Sequence, residues 1–120
     1  MSKMIAAACG VLLFSSSAAV AIQIEAGRPY QGQIVACGSE QEADRLLGFA
    51  VSGDLDKAKK YLEVDDNTCG VGSARFIPVQ QIGQTRTDPS GNAWKIVKIE
   101  LPHTEAFLVT TADFLPGKAM

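Results

Sequence analysis

The sequence predicts an α+β domain: a helical hairpin followed by an antiparallel meander of three strands, or four if residues 32–36 join it, held by one disulfide. Three observations lead there. Apolar residues recur with helical spacing between Ala43 and Leu62, and they alternate with polar ones from Ala93 to Leu101. Cys37 and Cys69 bracket the helical part.

The first residues have the three parts of an export leader. Lys3 is the only charge before Glu25. Met4 to Phe14 is an apolar run, and Ala19-Val20-Ala21 is the small-x-small pattern that a signal peptidase accepts. A membrane span needs roughly 20 apolar residues, so the run is short for an anchor. The expectation is a cleaved signal peptide over residues 1–21 and a single small domain over 22–120, with no membrane span after cleavage. Cys9 lies inside the apolar run, and Glu25, Arg28 and Pro29 separate Cys37 from it, so neither suits lipid attachment.

Losing Lys3 with the leader takes the net charge from −2 to −3. So small a balance, mixed in sign, gives no basic face for a nucleic acid. Residues 22–31, with Gly27 and Pro29, read as a frayed lead-in. Gln33 to Ala36 reads as a short strand ending at Cys37.

Ser39-Glu40-Gln41-Glu42 is a capping box that opens the first helix, with Glu42 placed to reach back to the Ser39 amide. Ala43, Leu46, Leu47, Ala50 and Val51 share one face of it. Gly53 provides the left-handed stop, and Asp54 caps a second helix through Leu55, Ala58, Tyr61 and Leu62. So short a turn makes the pair an antiparallel hairpin.

After Cys69 the period changes. Ser73 to Ile82 is strand-like but holds Pro78, which fits an edge or a bulge. Residues 85–92 read as a turn, with Asp88-Pro89-Ser90-Gly91 suited to type I. Ala93 to Leu101 is the clearest strand. Ala93, Lys95, Val97, Ile99 and Leu101 face one way, with Val97, Ile99 and Leu101 as core. Trp94, Ile96, Lys98 and Glu100 face the other. Residues 102–105 turn, Phe107 to Thr111 returns as a strand, and 112–120 reads as a frayed tail. A strongly curled meander can also close into an SH3-like barrel, and the sequence leaves that choice open.

Export leaves two cysteines, Cys37 and Cys69, which admit one intramolecular pairing in an oxidising compartment. They are too far apart in sequence for a Cys-x-x-Cys redox pair, so their expected role is structural.

No residue pattern points to catalysis. His103 is the only histidine and sits in a turn. With the cysteines paired there is no zinc-binding set. Asp65-x-Asn67 and Asp88-x-Ser90 begin like calcium loops, but Phe76 and Ile99 stand where the bidentate glutamate belongs. Gly70-Val71-Gly72 is too short for a phosphate loop. No catalytic, cofactor-binding or metal residue is assigned. Trp94 and Tyr30 remain as a candidate binding surface, since aromatics on a small sheet serve as binding anchors.

The expected function is that of a small, non-enzymatic accessory protein of a bacterial-type envelope, periplasmic or secreted. It would act by binding another envelope or extracellular protein, as inhibitor, adaptor or assembly subunit. The alternatives are an SH3-like module that binds cell-wall polymers and, less favoured, a small hydrolase built on carboxylates.

Overall fold

A computed structural model describes residues 23–64 and 66–117. The proposed leader, residues 1–21, lies outside them. In chain order the elements are β1 (Gln23–Glu25), β2 (Tyr30–Cys37), α1 (Glu40–Val51), α2 (Leu55–Glu63), β3 (Gly70–Thr87), β4 (Ala93–Glu100), β5 (Glu105–Thr110) and β6 (Asp113–Leu115).

The α+β reading holds, with two helices and an antiparallel sheet of four strands among the described residues. The sheet begins with β2, which is longer than the short strand expected at 33–36. β2 pairs with β3 from Tyr30↔Phe76 to Ala36↔Gly70, and β4 pairs with β5 from Lys95↔Thr110 to Glu100↔Glu105. Between them, β3 and β4 pair with two register shifts, at Pro78/Gln80 and Ile82/Arg86. The first is the bulge that Pro78 announced. Such shifts bend a strand and raise its twist, which lets β3 wrap around the sheet.

That curl brings the strand before the helices onto the last strand of the meander. β2 meets β5 at Ala36↔Leu108 and Cys37↔Phe107. The order of pairing among the described strands is therefore a ring, β2-β3-β4-β5, and β2 and β5 pair directly with each other across its last seam at two positions.

The curled sheet has two apolar faces. Inside it lie Phe76, Val97, Ile99, Ala106 and Leu108, with Leu101 partly buried against them. On the outer face of β4 and β5, Ile96 and Val109 pack under Ala43, Leu46 and Leu47 of α1. The hairpin thus covers the sheet as the periodicity implied. Ala58, Tyr61 and Leu62 of α2 pack against the same cluster, while Leu55 is exposed.

Local signals explain the helices. Ser39 Oγ accepts from the Glu42 amide at 3.2 Å, and Asp54 Oδ1 accepts from the Lys57 amide at 3.2 Å. Gly53 has φ +81°, a value that L side chains rarely adopt. One detail differs from the capping box read in the sequence. The Glu42 carboxylate accepts from the Ser39 hydroxyl at 3.1 Å and from the Thr68 amide at 3.2 Å, and it also takes the Thr68 hydroxyl. The Thr68 hydroxyl foremost, with Ser39 and the Thr68 amide adding to it, holds this carboxyl below the ordinary glutamate range against the opposing effect of burial. Glu42 thereby ties the start of α1 to the residue before Cys69.

The disulfide Cys37–Cys69 is formed. Ala36 and Gly70 are the last ladder partners of β2 and β3, so the bridge joins the next facing positions. Just beyond it the Gly38 amide donates to Thr68 Oγ1 at 2.8 Å, and a Cβ on Gly38 would lie 3.0 Å from Thr68 Cβ. The chains approach so closely there that glycine is the residue that fits.

The ends correct the sequence reading. The lead-in and the tail, expected to fray, each contain a strand. β1 and β6 pair in parallel, from Gln23↔Asp113 to Glu25↔Leu115. Ile24 and Ala112 are buried in the inner cluster, with Phe114 packed against it. Burial of Ile24 and Ala112, with Phe114 packed against them, outweighs the weak local signal of Gly27 and Pro29.

Candidate functional site

The seam between β2 and β5 forms the site. A groove of about 520 Å³ lies along it. Ile34, Leu108 and Thr111 border it, with Phe76 and the two aromatics singled out from the sequence, Tyr30 and Trp94. Those two are therefore brought to one groove, although Tyr30 packs with the inner cluster and Trp94 with the helical one. Among the described residues, none that lines the groove is charged.

Both aromatics are fixed from behind. Tyr30 stacks on Phe76 with ring centroids 5.8 Å apart, and its hydroxyl accepts from the Glu25 amide at 2.8 Å. Trp94 Nε1 donates to Asp88 Oδ2 at 2.9 Å. Asp88 in turn organises the β3–β4 turn, where its Oδ1 accepts from the amides of Ser90 at 2.8 Å and Asn92 at 2.9 Å. Asx turns of this kind explain why Asp-Pro-Ser-Gly makes a tight connection. Aromatic rings held in place lose little freedom on binding, so more of their buried area counts toward affinity.

The Trp94 hydrogen bond first, then the Asn92 amide, hold the Asp88 carboxyl at about 2 against the raising effect of burial. A carboxyl depressed on folding contributes its stability in full above its unfolded value of about 4. That contribution fades as the pH falls through about 2. Since Trp94 is the only tryptophan, its emission should shift on acidification with a midpoint near 2, and Asp88→Asn should remove that step. A step at the usual aspartate value of about 4 would show that the bond is not kept.

Lys95 holds one of the lining residues, Ala112, from behind. The alternation of β4 places it on the same face as Val97, and it is buried. Its ammonium donates to the carbonyls of Ala112 at 2.7 Å and Ala93 at 3.2 Å. Burial lowers its pKa, and the Asp113 carboxylate opposes this. Lys95 thus fastens the β5–β6 corner that borders the seam. The sequence put it on the core face without indicating that carbonyls would meet it there.

A second hollow of about 430 Å³ lies near the disulfide, among Ala36, Val71, Leu101 and Glu105. It offers no aromatic side chain. His103 is exposed in its turn and lines neither hollow, although its neighbour Thr104 borders the second. Among the described residues, no helix is long and apolar enough to cross a membrane. No protein-family model, curated protein or solved structure matches the chain.

Proposed function

We propose that the protein is an exported, non-enzymatic binding protein of a bacterial-type envelope, periplasmic or secreted, and that it engages another envelope or extracellular protein through the seam between β2 and β5. The observation that carries this reading is the groove itself, an uncharged cleft with Tyr30 and Trp94 fixed in its walls. Pockets of this kind, apolar with a few placed polar groups, are the usual sites of recognition. Export is supported by the leader pattern at residues 1–21 and by the disulfide between the two remaining cysteines.

The test is position-specific cross-linking in the producing cell. A photoreactive residue replaces Gln33, which is exposed at the groove, or Lys59, which is exposed on α2. The reading predicts a discrete protein adduct from position 33 that Trp94→Ala weakens, and none from position 59. No adduct from 33, or the same adducts from both positions, would remove it.

A further inference from the structure

β3 is the longest described strand, and its two halves have different neighbours. Gly70–Phe76 pairs with β2, whereas β4 joins only from Ile77 onward, where Glu100 is its last partner. There the chain leaves β3 and turns through residues 101–104 into β5. Among the described residues, no strand lies beside Gly70–Phe76 on the edge opposite β2. Gly70, Val71, Gly72 and Ser73 are all exposed, Val71 at 53 %. A glycine has only main chain to expose, so at positions 70 and 72 the backbone itself meets solvent.

Strand edges are ordinarily guarded by charge, proline or a bulge. β3 carries all three in its other half, as Arg86, Pro78 and the two register shifts. Gly70–Ala74 has none of them, since no residue in it is charged and its pairing with β2 is unbroken. The described chain gives no reason for the two glycines either. Neither has a positive φ, and a Cβ on either would meet no described atom within 4 Å. Glycine inside a strand weakens it, and it marks a place where another backbone comes close.

The edge is complementary to itself. About an axis at Gly72, an antiparallel copy sets Gly72 against Gly72, Val71 against Ser73 and Gly70 against Ala74, so no bulky or like-charged side chains oppose each other. Such a contact closes at two copies. Arg75 alternates to the same face of β3 as Val71 and Ser73 and is exposed. Past the axis it comes to the Gly70 end of the other copy, where Glu105 lines the same hollow with a side chain 57 % exposed that also holds Lys98 at 3.5 Å. Among the described residues, no carboxylate forms an ion pair with Arg75. The hollow of about 430 Å³ between Gly70–Ala74 and residues 101–106 is the room the incoming strand takes.

We propose that two copies of the chain associate through the Gly70–Arg75 edges of β3, antiparallel across a two-fold axis, with Arg75 of each copy against Glu105 of the other. This surface is separate from the groove that holds Tyr30 and Trp94 and does not depend on it. One short strand pair is a small interface beside the roughly 1,200 Å² of a stable complex, so the association is weak and follows concentration.

Sedimentation of the full protein as purified from the producing cell, between roughly 10 µM and 1 mM, tests this. The weight-average mass should climb from one copy toward two. Val71→Lys puts a lysine on the edge at an exposed position and should leave a monomer throughout. Arg75→Glu should weaken association roughly tenfold, and Arg75→Glu combined with Glu105→Arg should restore it. All three positions are exposed, so the variants keep the fold, which circular dichroism checks. A monomer at every concentration overturns the proposal, as does a dimer untouched by Val71→Lys or a double swap that restores nothing. Amide exchange at residues 70–74 that is equally slowed at both ends of the range also overturns it, because the chain's own residues would then cover the edge.

Discussion

Replacing Cys37 and Cys69 together by alanine should lower the unfolding free energy by roughly 3–4 kcal/mol. The bridge spans a sequence separation of 32 and encloses the entire hairpin, so cutting it returns to the unfolded chain the freedom of that loop. Cys37 is 1 % exposed, so a lone Cys37→Ser would add the cost of a buried hydroxyl, whereas alanine on both sides isolates the covalent effect. The hydrogen bonds of Glu42 and Thr68 at the start of α1 remain in the variant. They keep the hairpin docked, so the loss should appear as a lower denaturation midpoint rather than as a missing fold. Urea titration of the oxidised protein, the reduced protein and the double variant checks this. The last two should coincide, and all three coinciding would show that the bridge constrains nothing.

Ile99→Ala should cost roughly 2–5 kcal/mol. Ile99 is 0 % exposed inside the curled sheet, with Val97, Phe76 and Leu108 in the same cluster. The strands around it are tied on both sides, so the walls have little room to collapse into the space left behind. Ile99→Val removes one methylene and should cost about 1 kcal/mol. Leu55→Ala, at a side chain 64 % exposed on α2, should stay within about 0.5 kcal/mol. Measured by the same urea titration, a small effect at Ile99 would mean that the sheet interior is not the packed core described here.

The elements built by local rules were the legible ones. Ser39 and Glu42 announce α1, Gly53 and Asp54 its separation from α2, and the alternation from Ala93 to Leu101 a strand with Val97 and Ile99 inward. Pro78 announced a bulge. What sequence reading did not reach depends on pairing between distant segments. Nothing within Tyr30–Cys37 says that it will lie beside Phe107 and Leu108, because that neighbour is set by how far β3 bends at its two register shifts. β1 and β6 are three residues each, too short for alternation to show, and they are stabilised by burying Ile24 and Ala112. For the same reason the candidate site was half legible. Trp94 and Tyr30 stood out as aromatics of a small sheet, but the groove between them exists only once β2 and β5 have met.

The proposed function takes the chain to be cut after Ala21 on export and then oxidised, which joins Cys37 to Cys69. The intact mass of the protein taken from the producing cell tests both at once. The predicted mass is that of residues 22–120 less two hydrogens, with no thiol free to alkylate after denaturation. A mass that retains residues 1–21, with Cys37 and Cys69 both alkylated, would contradict it.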